Sequence, residues 1–331
     1  MPLIPTPSPT PSPTVAPQSV SGSVIAIPQG AYGPNATSTG ILANATVVIG
    51  STPVLGATAP PAAPAGDIIV ATSSSGTFTA TPLVGPAAQT SPVTVLSPGT
   101  TATRPALGYY VSIFAPGTDG KSAGVSVPLH TFVAVGSGLT FRVTTTSNDE
   151  AAFLAKVNSD RASQAGLTTP LIFDELSVEA ARQHVAEMQN TAMSTLAPFM
   201  CHYNPQNVGP LTRFALLGAL GSSQENINGF AHAAQNANST PQTEPTATQI
   251  WQGAEAAWVG EKATNGPHWA ALSRVNAAWV GLAVGTNSTL SGTNYIYQGV
   301  ADLEIVAPGD NSAFYNYPNT GCPAGITANN S

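Results

Sequence analysis

Five histidines, two cysteines and sixteen acidic side chains are the groups in this 331-residue chain that could ligate a metal or move a proton. Cys201 and Cys322 are its only thiols. In an exported chain they are expected to pair, and so long a loop gives such a bridge ~4–5 kcal/mol in the chain-entropy account. At about 100° per residue, Ile250, Ala254, Ala257 and Trp258 fall on one helical face, with Glu261 at its middle and Glu255 towards its edge. A carboxylate centred on an apolar face is costly unless a cation, metal or donor answers it, which marks Glu261 as a functional candidate. His184 shares a spacing of four with Ala180 and Met188 and reads as a buried structural histidine. His232 reads as a loop residue. Ser222 and Ser223 lack the Gly-x-Ser-x-Gly elbow of a hydrolase nucleophile.

The elements that must position these groups come in two styles. Residues 18–146 hold short runs rich in Val, Ile, Thr, Phe and Tyr, split by Gly, Pro, Asn and Ser clusters, and so predict an all-β sandwich. At residue 147 the pattern changes. Ser147-Asn148-Asp149-Glu150 is a capping box that starts a helix ending near Gly166. Further helices are expected through Leu176–Met188, near Leu211–Leu220 and over Ala247–Lys262. Two β-runs follow, Ala278–Val284 and Tyr295–Ile305. The expected architecture is therefore multidomain: a Pro/Thr/Ser-rich linker (1–17), a β-sandwich (18–146), an α+β domain (147–310) and a tail (311–331). Each large part has its own apolar pattern, so the two are expected to fold independently.

Composition narrows the function. Only 8% of the residues are charged and the net charge is -7, with nine Lys and Arg in all. Nucleic-acid binding needs a basic stripe that this chain lacks. No run of about eighteen apolar residues exists, so no transmembrane helix is expected. The Pro-Thr-Pro-Ser tract is a polyproline-type spacer, either a tail or a tether. Low charge and richness in Thr, Ser and Asn fit a secreted or surface-tethered protein.

Residues 151–305 resemble the CAP superfamily, shared by cysteine-rich secretory proteins, insect venom antigens and plant pathogenesis-related proteins. The stretches that carry the resemblance run in the family's order. They are Val157-Asn158-Ser159-Asp160-Arg161-Ala162 with Gly166-Leu167 and Pro170-Leu171, then Phe173-Asp174 with Ala180-Ala181-Arg182-Gln183-His184 and Met188. Cys201-His202-Tyr203, Gln224-Glu225-Asn226-Ile227, Trp258–Glu261, Gly266-Pro267-His268 and Val280-Gly281-Leu282-Ala283-Val284 complete the set. The resemblance implies an α-β-α sandwich of the cysteine-poor bacterial type. More weakly, residues 18–146 resemble carboxypeptidase-regulatory or transthyretin-like modules.

The resemblance also implies a cavity with two histidines and two glutamates, mapping to His202, Glu225, Glu261 and His268. His202 and His268 would then ligate a divalent metal, Zn²⁺ before others, with Glu225 or Glu261 orienting the rings or acting on a bound water. Trp269 stands where bacterial members usually carry Arg and is expected to line the cavity. Three functions stay open: a binding protein for a small hydrophobic or peptide-like ligand, a metal-dependent hydrolase, and a structural or adhesive surface protein with a vestigial cavity.

Overall fold

The computed structural model describes residues 18–33, 35–54, 59–60, 62, 65–88, 94–97, 100–103, 107–190, 201–204, 208–220, 222–234, 245–291, 294–307 and 322. The expectations for the linker, and for the tail apart from Cys322, lie outside these residues, as does the side chain of His232.

The first half is built of strands: β1 (Val20–Ala26), β2 (Gly40–Ile41), β3 (Thr46–Gly50), β4 (Ile68–Ala71), β5 (Thr77–Ala80) and β6 (Ala87–Ala88). Then come β7 (Thr94–Ser97), β8 (Thr100–Thr103), β9 (Leu107–Phe114), β10 (Leu129–Val133) and β11 (Gly136–Val143). One sheet has the order β11-β1-β2 with β5 on β1. A second has the order β10-β9-β3-β4 with β6 on β9, and β7 pairs with β8. Alternation decides which residues turn inward: in β5, Phe78 and Ala80 are buried while Thr77 and Thr79 are exposed. Val24, Phe78 and Phe141 from the first sheet meet Val47, Ile49, Val111 and Ile113 from the second in one apolar cluster. This is the packing of two sheets face to face that the run of short strands predicts.

The second half mixes helices and strands. Helix α1 (Asn148–Ala165) begins at the predicted capping box, with Ser147 and Glu150 bonding reciprocally. It ends at Gly166 in the left-handed region, φ 72°. There follow β12 (Ile172–Phe173), α2 (Glu175–Asn190), α3 (Pro210–Leu217), β13 (Ser222–Ala234), α4 (Ala247–Gly260), a 3-10 turn (Glu261–Thr264), α5 (Pro267–Leu272), β14 (Trp279–Ser291) and β15 (Asn294–Ala307). The sheet order is β12-β14-β15-β13, so β13 lies at an edge. Alternation splits β15 between two layers. Ala301, Leu303 and Ile305 pack with Phe153 and Leu154 of α1 and with Ile250, Ala254 and Trp258 of α4. Val300 turns to the other face, against Ala181, Val185 and Met188 of α2. The chain as a whole is a mixed α/β, sheet-rich protein.

Two sequence expectations change here. Helix α4 stops at Gly260 rather than Lys262, so Glu261 is its cap and not the centre of a buried face. The buried face is Ile250, Trp251, Ala254, Glu255 and Trp258. The apolar cluster of the first half also takes in residues of the second. Ile172, Leu176, Ala180, Phe214, Leu220, Trp279 and Val306 join the cluster of the first half. Polar groups cross the same boundary: His130 Nδ1 lies 3.0 Å from Asp174 Oδ1, and Thr144 N donates to Glu175 Oε2 at 2.8 Å. Arg182 of α2 donates to Thr144 Oγ1 and Thr145 O, and Arg142 of β11 pairs with Glu179 at 2.7 Å. Helix α2 is thus packed against the sheet of its own half and the sandwich together.

Candidate functional site

Strand β13 is polar where a strand is usually apolar, because its inward residues carry the site. Glu225 lies opposite Glu304 of β15, and Asp302 is two residues further along the same face. Opposite like charges destabilise a sheet unless cations answer them. Arg213 of α3 is that answer. Its Nη1 sits 2.5 Å from Glu225 Oε2, and its Nη2 lies 2.7 Å from His184 Nδ1 and 3.4 Å from Glu187 Oε2. His202 Nδ1 meets the other Glu225 oxygen at 2.6 Å. Cys201, buried beside it, is bridged to Cys322 with the Cα atoms 4.8 Å apart, so the expected disulfide anchors the segment that presents His202.

Burial pushes the Glu225 carboxyl up, but His184, Arg213 and the His202 hydrogen bond outweigh it and hold the group well below the usual carboxylate range. Glu187 follows the same logic. Burial raises it, and the His184 hydrogen bond and the Arg213 charge bring it down to about 2. Asp302 and Glu304 go the other way: burial, then the charge of Glu225, pushes both far up.

His268 and Glu261, two of the residues that the resemblance pointed to, also meet. His268 Nδ1 lies 2.7 Å from Glu261 Oε1, and His268 N donates to Glu261 Oε2 at 3.0 Å. The Asn265-Gly266-Pro267 turn makes this possible. Asn265 takes the left-handed region at φ 50°, and a Cβ on Gly266 would collide with the Glu261 carboxylate. The Trp258 ring stacks near His268 with centroids 6.4 Å apart. Asn226, next to Glu225 but facing the opposite way, donates from Nδ2 to His268 O at 3.0 Å. The two pairs therefore flank one short piece of β13.

Glu261 is 31% exposed and held by His268. Glu255 is the carboxylate actually buried on α4. Its Oε1 lies 3.1 Å from Lys156 Nζ, and burial, then the hydrogen bond with Asp160, raises it to about 7. Trp269 is buried in the α4 cluster, with Lys262 Nζ 5.6 Å from its ring centroid. A cavity of about 580 Å³ opens elsewhere, where the loop after β1, α1 and α2 meet, and includes Tyr32, Glu150, Arg182 and Gln189 in its lining. None of the four expected His and Glu residues lines it.

Among the described residues, the group of three or more acidic, His or Cys side chains close enough to share an ion is Glu225, Asp302 and Glu304. Sequence reasoning passed over Asp302, Glu304, Arg213 and Glu187 and read His184 as structural. The signals were there: Asp302-Leu303-Glu304 puts two acids on one face of an apolar strand, and Arg213 is the sole charge in α3.

No family model, curated protein or solved structure matches the chain. No helix among the described residues is long and apolar enough to cross a membrane.

Proposed function

We propose that this is a CAP-type, secreted or surface-tethered binding protein whose two imidazole–carboxylate pairs prepare a divalent-metal site, Zn²⁺ before others, beside a groove for a lipid or peptide-like ligand. The observation that carries the reading is the matched geometry of His202–Glu225 and His268–Glu261, at 2.6 and 2.7 Å through Nδ1. A carboxylate accepting the Nδ1 proton leaves the ring's lone pair at Nε2, the state in which imidazole ligates metal. The disulfide supports export, because such bridges persist in oxidising compartments.

Binding is favoured over hydrolysis by the state of Glu225. A general base works best with a pKa near the working pH, and His184, Arg213 and His202 together hold this carboxylate below the usual carboxylate range against its burial. Glu225 is thereby suited to orient His202 rather than to take a proton from water. Native mass spectrometry of the isolated protein tests the reading. A co-purifying lipid or peptide is the expected result. Metal without any organic ligand, together with hydrolysis of a model ester or peptide, would overturn it in favour of the hydrolase.

A further inference from the structure

Glu225, Asp302 and Glu304 each place a carboxylate oxygen within 4.8 Å of the others, on the sheet face covered by α2 and α3. All three are buried, Asp302 and Glu304 completely. Neither Asp302 oxygen has a hydrogen-bond partner, and Glu304 Oε1 has none either. A second group points at the same spot from a different element. His184 of α2 is fully buried, its Nε2 is unpartnered, and that atom lies 3.6 Å from Glu225 Oε1. With Glu187 counted, four carboxylates face one guanidinium, that of Arg213. Buried charge so unevenly matched costs several kcal/mol per ion unless a proton or a cation answers it.

We propose that Glu225, Asp302 and Glu304 hold one divalent cation of the oxygen-preferring class, Ca²⁺ or Mn²⁺, sealed between β13, β15 and α2. Three carboxylates supply up to six oxygens. Hard carboxylate donors suit Ca²⁺ and Mn²⁺, whereas Mg²⁺ gives up its water reluctantly. The two charges of the cation and that of Arg213 together offset three of the four acids, and Glu187, whose side chain is 17% exposed, keeps its charge nearest to solvent. Without the cation, burial and then the Glu225 charge raise the affinity of Asp302 and Glu304 for a proton. The proposal does not rest on Zn²⁺ at the histidine pairs.

Because the site is sealed, the metal is supplied while the whole chain refolds from denaturant in MnCl₂ with its disulfide intact. The wild type is expected to keep one Mn²⁺ per chain after desalting, with a paramagnetic resonance signal unlike that of aqueous Mn²⁺ and competed by Ca²⁺. D302N/E304Q, neutral isosteres of the protonated acids, should fold and lose affinity at least tenfold. E304Q alone gives the same reading if the double variant unfolds. H268A should keep its Mn²⁺. A wild type that retains neither Mn²⁺ nor Ca²⁺, or acid variants that bind Mn²⁺ as the wild type does, overturns the proposal. Zn²⁺ binding that H268A abolishes, with no Mn²⁺ held by the wild type, would sink this site and leave the histidine reading standing.

Discussion

At the scale of single residues, the chain places ionisable groups where solvent cannot help them. Glu175 shows the consequence for stability. It is fully buried at the junction of the two halves, where burial raises it to about 8 against partial relief from the Thr144 N–H and the Arg182 charge. Glu179 and Asp174, also nearby, push it further up. A carboxyl raised in this way binds its proton more tightly folded than unfolded, so its contribution is full below 4.5 and is lost as pH rises towards about 8. Melting curves from about pH 5 to pH 9 should therefore fall more steeply for the wild type than for E175Q. Parallel curves would show that Glu175 ionises without cost. Arg213 has the opposite character: the Glu225, Glu187 and Glu304 charges outweigh its burial and hold its proton more firmly than usual.

At the scale of elements, close approach is what sets α2 against the sheet. A Cβ on Gly281 of β14 would collide with the backbone of Ser177 and Val178 in α2. G281A is expected to lower stability by about 1–3 kcal/mol or more through overpacking, read as a drop in melting temperature. An unchanged melt would mean that helix and strand are less tightly apposed than described. The same elements show what the sequence could and could not reveal. Capping residues and periodicity identify α1 and α2, since Ser147, Glu150 and Gly166 act locally. Strand β13 escaped notice because its inward positions are Ser223 and Glu225, which answer Glu304, Arg213 and His202 from other elements. Helical phase puts Glu261 on a buried face, but the helix ends before it, and its partner is His268 rather than an apolar neighbour. Helical phase cannot foresee where a helix stops when the stop is a Gly260-Glu261 cap followed by a 3-10 turn.

At the scale of the whole molecule, a strand-built half and a mixed half share one apolar cluster. Trp279 of the second half stacks on His130 of the first with ring centroids 4.5 Å apart, and Leu176 and Phe214 complete the sandwich cluster. Cutting at residue 146 would expose these side chains and strip Glu175 and Arg182 of partners. A fragment 147–331 is thus expected to melt well below the full chain or without cooperativity, and a fragment that melts like the full chain would restore two independent domains.

The central claim is that His202 and His268 belong to a metal-binding arrangement rather than to two unrelated hydrogen-bonded pairs. Isothermal titration of Zn²⁺ into the wild type, His202→Ala and His268→Ala tests it most directly. Each substitution is predicted to weaken binding at least tenfold, about 1.4 kcal/mol or more. Equal Zn²⁺ binding by all three proteins would contradict it.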